Sequence, residues 1–102
     1  MGIFKPATLV YLLSAALSGN ALAGDPAVGK TKAATCAGCH GAEGVSNNGV
    51  WPNLAGQKEG YLVKQLKDFR DGKRNDPMMS SMAKPLSDDD IANLAAYYSQ
   101  LK

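Results

Sequence analysis

The stretch Cys36-Ala-Gly-Cys39-His40 restricts what this chain can become. It contains both cysteines and the only histidine, so both thiols and the one imidazole of the protein lie in one short run. Two cysteines this close in sequence close no useful loop, which excludes a disulfide framework. Yet a domain below roughly 70–80 residues usually needs a disulfide, a metal or a cofactor to stay folded. Something gathered at Cys36–His40 therefore has to supply what a small core lacks.

The chain has 102 residues, which sets one domain as the prior. Its first residues do not read as part of that domain. "MGIFK" carries one lysine, "PATLVYLLSAAL" is an uncharged apolar run, and "SGNALA" ends in small residues with an A-x-A pattern. This is the layout of a secretory signal peptide over residues 1–23, with cleavage expected after Ala23. The apolar run is shorter than the roughly 20 residues of a spanning helix, so a retained membrane anchor is disfavoured. No cysteine follows the run to take a lipid. The mature domain is expected to be Gly24–Lys102, with no membrane span.

Charge excludes one class of partner. The net charge is only +2, and the basic residues of "KQLKDFRDGKRND" are interleaved with acids. Such a stretch reads as a solvated helix face and not as a nucleic-acid surface.

Along the mature chain, Asp25 and Pro26 form a helix start, as N-cap and first helical residue. That helix is expected to run up to the cysteines. "GAEGVSNNGVWPNLAGQ" is rich in Gly, Asn and Pro and reads as a long loop. "KEGYLVKQLKDFRDG" is helical: Leu62, Leu66 and Phe69 recur at helical spacing, and Gly72 provides a stop. "KRNDPMMSSMAKP" reads as a second loop, because Pro77 and Pro85 argue against a helix through it. "LSDDDIANLAAYYSQLK" is a helix capped by Ser87, with Asp88, Asp89 and Asp90 in the first turn. Its apolar stripe is Ile91, Leu94, Ala95, Tyr98 and Leu101. No stretch alternates like a strand. The expected fold is all-α, with three main helices and two long loops.

Four chemistries compete for Cys36–His40. Zinc usually takes four ligands from Cys and His, and only three exist here. A thioredoxin-like Cys-x-x-Cys needs a βαβ setting, which is absent. A structural accident leaves the histidine unexplained. Cys-x-x-Cys-His is the attachment site of a c-type haem, and this reading accounts for all three residues. Cysteines at i and i+3 share a helical face, so both sulfurs reach one edge of the macrocycle and His40 reaches the iron. The export signal agrees with it, and a single covalent haem also explains two long loops in a tiny domain: they wrap it. With one histidine, bis-histidine ligation within the chain is impossible. Met78, Met79 and Met82 lie in a segment able to cross the opposite haem face; the competing reading makes them flexible core filler.

The series "CAGCHG", "WPNLAGQ", "YLVKQLKDFRDGKR" and "MM..MA..LSDDDIANLAAYY" resembles the class I c-type cytochromes, most closely the small bacterial c553-type proteins and single domains of cytochrome c4. The resemblance covers nearly all of Gly24–Lys102. It implies the class I fold around one covalent haem, attached through Cys36 and Cys39, with His40 as an axial iron ligand. By the family's spacing to Leu86 and the Ser87 cap it implies Met79 as the other, with Met82 next. It implies that the Pro52 carbonyl accepts the histidine N–H, that Leu54 packs on the haem, and that Gly29 meets Tyr97 or Tyr98 where the first and last helices cross. The two-haem c4 proteins carry a second copy of the pattern, whereas this chain has one.

An iron held by His and Met has no open position, and methionine sulfur favours the reduced state. The expectation is thus a periplasmic one-electron carrier and not an enzyme, monomeric or weakly oligomeric. It would exchange electrons with respiratory or dehydrogenase complexes through the haem edge near Gly41–Asn48 and the methionine segment. The alternatives are a cytochrome subunit of a periplasmic dehydrogenase complex, or a five-coordinate ligand-binding haem protein.

Overall fold

The computed structural model describes residues 24–102, and the leader expected over residues 1–23 lies outside them. Five helices follow in order: α1 (Pro26–Lys32), α2 (Ala37–His40), α3 (Glu59–Asp71), α4 (Pro77–Ala83) and α5 (Asp88–Gln100). Among the described residues there is no strand.

α1 starts as its sequence requires. The Asp25 carboxylate accepts from the N–H groups of Ala27 (2.9 Å) and Val28 (3.4 Å), and Pro26 occupies the first turn. The helix does not run unbroken to the cysteines. It tightens into a 3₁₀ turn over Ala33–Thr35 before α2 begins. Such turns are common where an α-helix ends, and here the Thr35 hydroxyl back-bonds to the Lys32 carbonyl at 3.5 Å.

α5 is the central element. Ser87 and Asp90 form a reciprocal capping box: the Ser87 hydroxyl accepts from Asp90 N–H, and the Asp90 carboxylate accepts from Ser87 N–H, both at 3.0 Å. The Ser87 N–H is the chief cause holding the Asp90 carboxyl below the usual carboxylate range. The helix buries Ile91, Leu94, Ala95, Ala96, Tyr97 and Tyr98, a wider face than the expected stripe. It is covered from two sides, by α1 and by α3.

α1 crosses α5 at Gly29. A β-carbon there would collide with the Asn93 carbonyl and sit 2.9 Å from the Tyr97 β-carbon. Tyr97 is therefore the crossing partner, and Tyr98 serves elsewhere. The crossing is reinforced by Asp25 N–H donating to Asn93 Oδ1 at 2.8 Å and by a Lys32–Asp90 ion pair at 3.4 Å.

The long loop after α2 is cinched rather than free. The Gly44 carbonyl accepts from Leu54 N–H (2.8 Å) and Ala55 N–H (3.0 Å), and Gly56 N–H donates to the Tyr98 carbonyl at 2.9 Å. α3 ends at Gly72, whose φ of +83° is the left-handed stop expected of it.

The second loop is not a loop. Pro77–Ala83 form α4, a correction to the reading of prolines as breakers. Pro77 stands at the first helical position, where its missing N–H and fixed φ suit a helix. Asp76 caps it, accepting from the N–H groups of Met78 (3.1 Å) and Met79 (2.8 Å). Pro85 lies beyond the last turn and only stops it.

Gly29→Ala should destabilise the haem-loaded protein by about 1–3 kcal/mol, because two backbones would have to separate. Gly60→Ala, in α3 with open space at its β-carbon, should instead add up to about 1 kcal/mol. Denaturant unfolding of both variants checks the pair; equal effects would remove the close approach as the reason for glycine at position 29.

Candidate haem site

Cys36 precedes α2 with helical dihedrals, and its carbonyl accepts from Cys39 N–H (3.3 Å) and His40 N–H (3.0 Å). This single turn carries both thiols and the imidazole. Cys36 is half-buried and packs against the core cluster of Ala33, Leu62, Leu94, Ala95, Tyr97 and Tyr98. Burial pushes its thiol pKa up, so the sulfur is uncharged at neutral pH. Tyr98, 3 % exposed, lies beside it, and its phenol is pushed up by burial first and by Cys36 next.

His40 is 6 % exposed and is the only buried polar side chain among the described residues. Its Nδ1 lies 2.8 Å from the Pro52 carbonyl oxygen. A carbonyl only accepts, so Nδ1 carries the proton and Nε2 carries the lone pair. Among the described residues Nε2 makes no hydrogen bond. A histidine held in this way, with one nitrogen donating to a backbone carbonyl, is oriented as metal-bound histidines usually are.

A narrow cleft, partly open to solvent, lies between this turn and α4. It is lined by Thr35, Cys36, Leu66, Met79, Met82, Ala83, Leu86 and Leu94. The structure thus brings Met79 and Met82 to the same cavity as Cys36. Met78 does not line it: it is 51 % exposed, with its sulfur 3.9 Å from Cys39 Sγ. Met82 is 40 % exposed, and Met79 is the most enclosed of the three. Leu54 is half-buried against the core cluster.

Sequence patterning identified Leu66 and Leu94 as helix-face residues without assigning them to the cleft. Thr35, Ala83 and Leu86 carried no such signal, because their place depends on how α4 folds back.

These residues suit a haem better than a bare ion. Among the described residues no three of His, Cys, Asp and Glu converge to hold a metal. What the structure does bring together is an apolar wall with Cys36 and the thioethers of Met79 and Met82, next to a turn that also carries Cys39 and the His40 imidazole. That donor set matches a flat apolar macrocycle with an axial nitrogen and sulfur. Leu66, Leu86 and Cys36 stay half-exposed against the core, leaving apolar surface for such a group to cover.

The comparisons with known proteins agree. The Cytochrome c family model matches residues 26–102. Cytochrome c-554(548) of Halomonas halodenitrificans is 49 % identical over 80 residues, which are 76 % of this chain and 96 % of that protein. The thiosulfate dehydrogenase electron acceptor of Thiomonas intermedia is 53 % identical over 72 residues, 70 % of this chain and 33 % of that protein. The crystal structure of reduced cytochrome c4 from Pseudomonas stutzeri superposes with a TM-score of 0.75 at 43 % identity, over 78 % of this chain and 47 % of that one. The chain spans about half the length of the cytochrome c4 relatives it matches. Its helix order, its cysteine–histidine turn and these relatives agree: the chain belongs to the cytochrome c family, as a class I c-type cytochrome whose prosthetic group is covalently bound haem c.

Proposed function

We propose that this protein is a periplasmic one-electron carrier and not an enzyme, its haem attached through Cys36 and Cys39 and its iron held by His40 and Met79. The observation that carries the reading is the pairing of a buried, pre-oriented imidazole with an enclosed methionine on the cleft wall. His40 Nδ1 is committed to Pro52 at 2.8 Å, and Met79 lines the cleft together with Cys36. Haem c supplies a one-electron Fe(II)/Fe(III) couple. The chain's own residues would do the rest: His40 and Met79 would hold the iron, Pro52 fixes the imidazole, and Leu66 and Leu94 on the cleft wall, with Leu54 beside the core, would keep water from the group. A site so filled exchanges electrons with little rearrangement and offers substrate no position.

Residues 1–23 are read as a cleaved export signal, which delivers the domain Gly24–Lys102 to the periplasm, where haem is joined to it. Among the described residues no helix is long and apolar enough to cross a membrane. The partners are redox proteins, met through a small, short-lived interface. The relative named as a thiosulfate dehydrogenase electron acceptor supports a dehydrogenase as donor. It also favours a second reading, a subunit held in a dehydrogenase complex, which size-exclusion of the native protein separates from a free carrier.

Acid–acetone treatment should leave the red colour on the polypeptide, and mass spectrometry should give Gly24–Lys102 plus one haem. Colour in the acetone would end the covalent reading. The Cys36→Ala, Cys39→Ala double variant should be largely unfolded and protease-sensitive, because the remaining core is small; cooperative unfolding of that variant would contradict this.

Met79→Ala should abolish the weak far-red band of the ferric protein, lower the potential and open the reduced iron to carbon monoxide. Met78→Leu and Met82→Leu should leave the band in place. Loss of the band in Met82→Leu alone would move the ligand to Met82. Carbon monoxide binding by the unmodified protein would favour the five-coordinate alternative.

A further inference from the structure

α4 bears all three methionines and is only 7 residues long. A helix that short is not stable alone. Asp76 caps its start, but a cap made within the segment does not place it against the rest of the domain. α4 packs principally on α3. Its last residue, Ala83, is fully buried and lines the cleft, and the Ala83 carbonyl accepts from Leu86 N–H at 3.0 Å. The corner Ala83–Leu86 therefore moves with α4.

Arg70, near the end of α3, grips this corner. Its Nη1 donates to the Leu86 carbonyl at 3.3 Å and to Asp88 Oδ1 at 2.8 Å. Its other donors are engaged by the neighbouring carboxylate: Nε to Asp71 Oδ1 at 2.9 Å and Nη2 to Asp71 Oδ2 at 3.3 Å. Asp71 thus orients the planar guanidinium, and Nη1 faces the α4–α5 corner. The Arg70 side chain is 20 % exposed, whereas those of Asp71 and Asp88 are 46 % and 71 % exposed. Ion pairs with such exposed carboxylates contribute little by themselves. The contact that touches the ligand-bearing segment is the one to the Leu86 backbone.

We propose that Arg70 is a positioning residue for the iron's methionine ligand: by holding the Leu86 carbonyl it keeps α4 closed over the haem cleft. This rests on the reading that a methionine of α4 ligates the iron, whichever of them it is. Arg70 does not itself line the cleft; it reaches it only through the backbone of Leu86. It acts through the hinge that follows α4, and its loss raises the fraction of molecules in which the methionine has left.

The test is imidazole binding to the ferric holoprotein, since imidazole takes the methionine's position only when α4 opens. Arg70→Gln should retain the far-red band without imidazole and bind imidazole about tenfold more tightly, as expected for a lost charge-assisted hydrogen bond. Arg70→Lys keeps the charge but not the planar fork, so it should recover part of the difference. Asp88→Asn leaves the Leu86 contact intact and should shift binding less than about threefold. Lys32→Ala, which breaks the Lys32–Asp90 pair on the far side of α5, should alter thermal stability without changing imidazole affinity.

Unchanged imidazole affinity in Arg70→Gln overturns the proposal, whatever happens to its melting temperature. So does an Asp88→Asn effect as large as that of Arg70→Gln, because the charge pair and not the carbonyl grip would then be responsible. If Arg70→Gln does not fold, unchanged affinity in Arg70→Lys overturns it equally. Failure of the underlying ligand reading looks different: the wild-type protein itself would lack the far-red band and bind carbon monoxide, and the role of Arg70 would fall with it.

Discussion

The hydrogen bond from His40 Nδ1 to the Pro52 carbonyl orients the one side chain on which the site turns, and a chain of contacts maintains it. Pro52 is carried by a loop with no regular structure of its own. That loop is closed on itself at Gly44 and fastened to α5 through the Tyr98 carbonyl. α5 is placed by its crossing with α1 at Gly29, and α1 leads directly into the turn that bears Cys36, Cys39 and His40. The imidazole is thus held from both directions along the chain. Each link contributes only about 1 kcal/mol net, but together they define a tautomer and a ring orientation before any metal is bound.

The opposite wall is built with less redundancy. Among the described residues the large side chains sealed almost completely include Ile91, Leu94 and Tyr98, all on α5. Leu66, Leu86 and the methionines of the cleft remain partly exposed, so the polypeptide leaves its own core unfinished on that side. A covalent haem completes it and so links cofactor attachment to folding. α4 is short, capped internally, packed on α3 and followed by a corner whose Leu86 carbonyl accepts from Arg70. Under the proposed ligation, the methionine-bearing segment is fastened from a residue that does not itself line the cleft.

Several features could be read before any coordinates because they depend on neighbours in sequence. The Ser87 cap, the Asp25–Pro26 start, the Gly72 stop and the Cys36–Cys39–His40 turn are all local. So is the all-α character, which follows from apolar spacing within each segment. The family pattern added Pro52 to the histidine and Gly29 to the helix crossing, and the structure places both in those contacts. α4 was missed although its signals are also local: Asp76 and Pro77 are a good cap and first residue, but the proline was weighed as a breaker.

Other features could not be read in that way. Arg70 sits in a run of mixed charges and is indistinguishable there from Lys67 or Arg74; its grip on Leu86 exists only once α3 and the α4–α5 corner meet. The choice of Tyr97 over Tyr98 at the Gly29 crossing, and the separation of Met78 from the cleft that holds Met79 and Met82, likewise depend on the rotation of one helix against another. The sequence by itself determined the starts of α1 and α5, the stop of α3 and the haem-binding turn, since hydrogen bonds and spacing within a few residues suffice for these. Tertiary structure alone decided which side chains share the cleft and what holds it shut, because those contacts join residues far apart in the chain, whose distances no local rule specifies.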